Sequence, residues 1–298
     1  MTTNVIEDNR HPPGNSLESP STEPELPLRQ LLRDCPEPLK EPSSSRCSCH
    51  LARTRAGGTT ASTRFATLAG MTYAIAAPAI PSLPIVGSDL RFPIRRVFCI
   101  GRNYAEHARE MGASVDKAVP MFFCKPADAV VSDGADVPYP QATADLHHEV
   151  EMVVALGAGG HDLTSEQAAA LVWGYGVGLD LTRRDLQAQA KAKGHPWDVA
   201  KAFDHSAPVS ALHPAAEVAL TADSMLRLSV NGELRQQTRL GEMVHGVPQI
   251  IAALSTLFEL KAGDLIFTGT PAGVAALQRG DRFHAELVGV AELDGRVA

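Results

Sequence analysis

Residues 145–157, DLHHEVEMVVALG, set two carboxylates inside what otherwise reads as a buried β-strand. Val150, Met152, Val153, Val154, Ala155 and Leu156 are apolar, yet Glu149 and Glu151 sit among them. At the two-residue period of a strand, both glutamates point to the same face. Like charges that close repel, and burying them unpaired is costly. Whatever fold this chain adopts must bring a cation to that point.

A second buried strand, GYGVGLDL (174–181), carries Asp180 between Leu179 and Leu181 with no basic neighbour in its own strand. Three carboxylates on two core strands can converge on one divalent ion, and all-oxygen ligation selects Mg²⁺, Mn²⁺ or Ca²⁺ over zinc. The competing reading for each carboxylate is a salt bridge to an arginine or lysine across the sheet. The apolar neighbours on both strands favour the metal. His147 shares the glutamates' face and His148 does not. HHEVE lacks the H-E-x-x-H spacing, so both histidines read as supporting or structural groups.

Beyond these strands the pattern from Met71 onward is β-rich with a few helices. RRVFCIG (95–101) is a strand ending at a glycine turn, and NYAEHAREMG (103–112) has helical character. Thr164 with Gln167 forms a capping box ahead of a helix through SEQAAALVW, and Thr182 with Asp185 is expected to cap a second helix, RRDLQAQAKAK. LRLSVNGELRQQ (226–237) predicts a hairpin with a type I′ turn at Asn231-Gly232. VPQIIAALSTLF (247–258) predicts an apolar helix, followed by the strand DLIFTG and the glycine-rich turn TGTPAGV. Strands outnumber helices and do not alternate regularly with them, which argues against a repeating βαβ sheet and for an α+β fold.

Residues 1–70 differ in composition, holding eight of the 21 prolines and a single aromatic, Phe65. Such a segment has too little apolar surface to offset its ordering entropy and predicts a disordered extension. Its second half is rich in Arg, Ser and Thr as transit peptides are, but the acidic, proline-rich first half spoils that match. The expected division is an extension over 1–70, read as a misassigned start with Met71 as the true one, and a catalytic domain over 71–298. Cys47, Cys49 and His50 lack the spacing of a zinc knuckle. Five cysteines without a paired framework predict reduced thiols in a cytoplasmic protein. A formal charge of -7 argues against a broad grip on nucleic acid or an anionic membrane, while leaving room for a local cationic pocket. No apolar run approaches the roughly 20 residues of a membrane span.

Other residues have two readings each. Lys201, in PWDVAKAFD, is either a snorkelling surface lysine or, near a metal, a group that stabilises developing negative charge. His107 and Glu110 are neighbours on one helical face, either a surface ion pair or an oriented general base. TGTPAGV lacks the Walker lysine, but its hydroxyls and backbone N–H groups can hold a carboxylate.

From about Phe92 to the C-terminus the chain resembles the fumarylacetoacetate hydrolase family. The matching text is GRNYAEHAREMG, FCKPADAVV, DLHHEVEMVVALG, GYGVGLDLTRRDLQAQAKAKGHPWDVAKAFD, VNGELRQ and DLIFTGTPAGV, in the family's order. The resemblance implies a mixed β-sandwich roll with flanking helices, paired into a homodimer. It implies Glu149, Glu151 and Asp180 as ligands of Mg²⁺ or Mn²⁺, with Ca²⁺ as a further option. Lys201, His107 and Glu110 become catalytic groups, the His-Glu pair activating water from a lid segment, and Arg184, Gln187 and Thr270 become contacts to substrate oxygens. The implied reaction is hydrolysis of a carbon–carbon bond in a small 2,4-diketo acid, with fumarylpyruvate giving fumarate and pyruvate in gentisate-type aromatic degradation. Acylpyruvate hydrolysis, oxaloacetate decarboxylation and hydroxydienoate isomerisation use the same scaffold and are the alternatives. Arg102 and Lys125 are the candidates for holding a distal second carboxylate.

Overall fold

The computed structural model describes residues 67–68, 71–112, 114, 117–132 and 134–298. The expected extension over 1–70, with Cys47, Cys49 and His50, lies outside them except for Thr67–Leu68, which pairs antiparallel with Met71–Thr72.

Ten strands build the body of the fold: β1 (Arg96–Gly101), β2 (Met121–Lys125), β3 (Val150–Leu156), β4 (Val172–Leu179), β5 (His213–Pro214), β6 (Met225–Val230), β7 (Glu233–Arg239), β8 (Asp264–Phe267), β9 (Arg282–Leu287) and β10 (Ala291–Arg296). Six of them form a mixed sheet in the order β5-β4-β3-β8-β1-β2, antiparallel throughout except for the parallel pair β8 and β1. The others form an antiparallel sheet in the order β7-β6-β9-β10. Five helices flank them: α1 (Ala105–Glu110), α2 (Ser165–Ala169), α3 (Arg184–Lys193), α4 (Asp198–Lys201) and α5 (Val247–Ser255).

Every residue of β3 is buried, because the mixed sheet has a core on each face. Val150, Met152, Val154 and Leu156 pack in one cluster with Leu226, Leu228, Phe283, Ala285 and Leu287 of the antiparallel sheet. Val153 and Ala155 join Val97, Cys99, Leu265 and Phe267 under Leu83, Phe92, Val209 and Leu212. Burial on both faces gives β3 a continuous apolar run from Met152 to Leu156 in place of alternation. The expected α+β sandwich is the fold observed.

Local signals held where nothing non-local competed. The Thr164–Gln167 capping box forms, though its helix stops at Ala169 because Val172 enters β4. Asn231 and Gly232 take φ of 53° and 81°, joining β6 to β7 as expected for a type I′ turn. Thr182 is a correction. It pairs with His147 in a short strand and donates its hydroxyl to the Asp180 carbonyl at 3.1 Å, so α3 begins later, with Arg183 as its N-cap. Asp185 instead accepts from the Leu186 N–H and the Thr143 hydroxyl. Among the described residues no helix is long and apolar enough to cross a membrane, and Cys99 and Cys124 are free thiols.

Candidate active site

Strand pairing assembles the carboxylates. β3 and β4 run antiparallel with Val150 opposite Leu179, and just beyond that pair the Asp180 N–H donates to the Glu149 carbonyl at 2.8 Å. Glu151 follows on the same face as Glu149. The result is one cluster in which Glu149, Glu151 and Asp180 offer oxygens within 4.8 Å of one another, with all three residues buried.

Cations arrive from elements distant in sequence. Lys201, at the end of α4 and 2% exposed, places Nζ 2.8 Å from Glu149 Oε2 and 2.6 Å from Asp180 Oδ2. Arg184, at the start of α3, reaches Glu149 Oε1. Lys125, at the end of β2, lies 2.9 Å from Asp180 Oδ1, while its ammonium donates to the carbonyls of Leu181 and Lys201. The cross-element salt bridge weighed against a metal is therefore present for Glu149 and Asp180.

Glu151 differs. Among the described residues it has no ion-pair partner, and its Oε2 accepts the Gly269 N–H, at 2.6 Å. Burial first, then the charges of Asp180 and Glu149, push its carboxyl well above the usual range. Burial also opposes ionisation of Glu149, but Lys201, Arg184 and His107 outweigh it and hold that carboxyl low. For Lys201, burial works against the charge and the two carboxylates outweigh it, so its pKa is raised and it stays an ammonium.

The donor set fits a divalent cation on two observations. Glu151 is a buried carboxylate with no direct ion pair among the described residues. Asp180 Oδ1, although near Lys125, makes no aligned hydrogen bond and keeps lone pairs open. Three carboxylates balance Lys125, Lys201 and Arg184. A divalent ion would leave the cluster at +2, the complement of a dianion.

The groups around the cluster present donors. Arg184 Nη1 donates to Gln187 Oε1 at 2.6 Å, which leaves the Gln187 amide nitrogen for a ligand. Thr270 Oγ1 accepts from Gln236 Nε2 at 2.9 Å, which leaves the hydroxyl hydrogen to donate. Gln236 Oε1 in turn accepts the Val150 N–H, between the two glutamates, and pairs with His148 Nδ1. Buried Gln236 thus ties β7 to both the metal-type cluster and the threonine. A site lined by donors suits an anion rich in oxygen.

Gly269, which supplies the N–H to Glu151, has φ of +100°, and a Cβ there would lie 2.6 Å from Asn103 Cβ. Asn103 cannot yield, because its side chain bridges His245 and Thr268 through three hydrogen bonds. Gly269→Ala is expected to cost about 1–3 kcal/mol from the disfavoured φ alone and more from the clash. Urea denaturation of parent and variant measures it, and equal midpoints would remove the argument.

His107 Nδ1 lies 3.3 Å from Glu110 Oε2, and Glu110 is anchored by the Gly273 N–H of the TGTPAGV turn at 3.1 Å. Burial lowers the His107 pKa, opposed by Glu149 and Glu110, so the imidazole is neutral at pH 7 with Nε2 carrying the free lone pair. His107, Glu149, Glu151, Asp180, Arg184, Gln187, Lys201 and Thr270 line one pocket, and Glu110 backs it from behind His107. All nine predicted site residues are thus brought together.

Lys125 is a correction. It is 2% exposed beneath Asp180 and does not line the pocket, so it cannot meet a distal carboxylate. Arg102 does line it, together with Lys191 and Trp197, which the motifs had not singled out. Gln236 was also missed. It stood in VNGELRQ, read only as a hairpin, and no local pattern marks a strand glutamine as a buried hub.

The fold sets a buried cluster of three carboxylates in one pocket, a donor set that would hold a divalent cation. The profile of the fumarylacetoacetate (FAA) hydrolase C-terminal family matches residues 96–298. A crystal structure of fumarylpyruvate hydrolase from Pseudomonas aeruginosa in complex with Mn²⁺ and pyruvate is 48% identical, covers 76% of this chain and 99% of its own, and superposes with a TM-score of 0.74. A Burkholderia cenocepacia structure, provisionally described as a fumarylpyruvate hydrolase, is 52% identical over 76% of this chain and 98% of its own, at a TM-score of 0.71. The oxaloacetate tautomerase of Escherichia coli (strain K12) is 46% identical over 198 residues, 65% of this chain and 89% of that protein. The chain belongs to the fumarylacetoacetate hydrolase family.

Proposed function

We propose that this protein hydrolyses the carbon–carbon bond of fumarylpyruvate, releasing fumarate and pyruvate, with Mg²⁺ or Mn²⁺ held by Glu149, Glu151 and Asp180. The bound ion would supply Lewis-acid stabilisation of oxygens on the 2-keto acid end. Arg184, Gln187 and Thr270 donate hydrogen bonds to that end and orient it. His107, with its Nδ1–H held by Glu110, takes a proton from water at Nε2, and the water oxygen attacks the C4 carbonyl. Lys201 remains protonated and stabilises the charge that develops as the C3–C4 bond breaks and the pyruvate enolate departs. The proton taken from water by His107 is returned to C3 of the enolate to give pyruvate. Residues 71–298 serve as the catalytic domain, since both core clusters and every site residue fall between Leu83 and Val297. A homodimer in the cytoplasm working in aromatic-compound breakdown completes the reading.

The observation that carries hydrolysis is the neutral, Glu110-backed imidazole on the same pocket as the carboxylate cluster, with support from the 48% identical hydrolase. The 46% identity to an oxaloacetate tautomerase favours a second reading, proton transfer on oxaloacetate without bond cleavage, for which the same base would serve. Loss of the enol absorbance of fumarylpyruvate and acetylpyruvate on Mg²⁺-loaded enzyme, beside the enol decay of oxaloacetate, separates them. Fumarylpyruvate is expected to exceed acetylpyruvate by roughly 10² or more in kcat/KM. Equal efficiencies would leave a general acylpyruvase, and turnover of oxaloacetate enol alone would install the tautomerase.

A further inference from the structure

The three inner cations of the pocket region each face a carboxylate, Lys125 on Asp180, Lys201 on Glu149 and Asp180, and Arg184 on Glu149. Two more cations line the same pocket without an ion pair among the described residues, Arg102 and Lys191. Lys191 holds its ammonium 5.1 Å from the centre of the Trp197 ring. Arg102 has φ of 59°, a left-handed conformation that a non-glycine residue adopts only where the surroundings impose it, and one that concentrates at ligand sites. Its neighbour Asn103 is fixed by hydrogen bonds to the carbonyls of His245 and Thr268.

Spacing sets where these charges stand relative to the cluster. Arg184, Gln187 and Lys191 fall at i, i+3 and i+7 on α3, one face of the helix. Seven residues at 1.5 Å each carry Lys191 about 10 Å along the axis from Arg184. A seven-carbon 2-keto diacid spans six carbon–carbon bonds, roughly 7–8 Å end to end, so its second carboxylate falls in this part of the pocket. A four-carbon diacid is about half as long and does not reach it. The same pocket is also lined by Met111, Met121 and Phe123, apolar side chains that suit a hydrocarbon spacer.

We propose that Arg102 and Lys191 form a subsite for the distal carboxylate of a 2-keto dicarboxylate of about seven carbons. The inference rests on the reading that the cluster and its donors hold the 2-keto acid end. Burial, followed by repulsion from Arg184 and Arg102, depresses the Lys191 pKa, which is the condition an incoming carboxylate relieves. Arg102 offers a planar fork to a carboxylate and Lys191 a point charge, so both charge and orientation are read.

The test is equilibrium binding to Mn²⁺-loaded protein of 2-oxoheptanedioate and 2-oxoheptanoate, which differ only in the terminal carboxylate and lack the C4 carbonyl needed for cleavage. The parent is expected to prefer the diacid by about 10². Lys191→Met and Arg102→Gln should each cut that preference about tenfold, leave 2-oxoheptanoate binding within twofold, and keep the parent's melting temperature. An unchanged preference in both variants overturns the subsite, as does an equal loss for both ligands. Should the binding pattern hold while fumarylpyruvate is not cleaved, the hydrolase reading falls and the subsite stands. Cleavage with an unaltered preference overturns the subsite alone.

Discussion

Glu151→Gln is expected to abolish divalent-cation binding and turnover while leaving the metal-free protein folded, and more stable than the parent at neutral pH. Glu151 is the member of the cluster without a direct ion pair among the described residues, and glutamine keeps an oxygen for the Gly269 N–H while removing the charge. The folded-state pKa of Glu151 lies above its unfolded value. Its contribution to stability is therefore fully present at acid pH, below the ordinary carboxylate range, and is lost as pH rises through the raised value. Parent and variant should converge in acid, with the variant's advantage growing towards neutrality. Addition of Mn²⁺ at about 100 times its dissociation constant should stabilise the parent by about 2.7 kcal/mol, which for a domain of this size is roughly 5–10 °C in Tm. The variant should gain nothing. Thermal melts with EDTA and with Mn²⁺ decide the matter, and a full metal-dependent shift in the variant would remove the cluster as the metal site. Glu149→Gln must behave differently. It strips Lys201 and Arg184 of the carboxylate they share, and breaking a buried pair from one side costs about 3–5 kcal/mol. Opposite signs for two adjacent Glu→Gln variants would be hard to obtain from any other arrangement of charges.

His107→Ala should lower fumarylpyruvate hydrolysis by about 10²–10⁴ while sparing decarboxylation of oxaloacetate, which consumes no water. The pH profile adds a second readout. Burial places the His107 pKa below its ordinary value, so kcat/KM for the parent should be flat above pH 6.5 and fall only in more acid solution. Glu110 raises that pKa through its charge and hydrogen bond, so Glu110→Gln should move the acid limb to lower pH as well as slow the reaction. Unchanged hydrolysis in His107→Ala would return the pair to a surface ion pair.

How far the site could be read in advance depends on how each residue advertises itself. Glu149, Glu151 and Asp180 were visible because charge inside an apolar strand is a local anomaly that only a cation resolves. His107, Glu110 and Lys201 were not, since a helical i, i+3 pair and an isolated lysine have commonplace surface explanations. Their residue types and spacing carried little, and the resemblance to a family carried the rest. Thr182 failed as a cap because pairing with His147, 35 residues earlier in the chain, outweighed a preference of its own segment.

The chain's own order determined which stretches become two-sided core strands, where the Asn231-Gly232 turn closes a hairpin, and that three carboxylates need a counter-charge. Each follows from interactions between near neighbours and from the period of burial. Only the tertiary structure decided which cations answer them. Lys125 and Lys201 lie 76 residues apart and meet at Asp180, and Gln236 reaches Val150 across 86 residues to hold the backbone between the glutamates. Charges and hydrogen bonds act through space at a few ångströms, and it is the closing of the sheets that sets those distances. That closure left Glu151, among the described residues, as the cluster carboxylate without a direct ion pair and turned Arg102 and Lys191 towards one pocket.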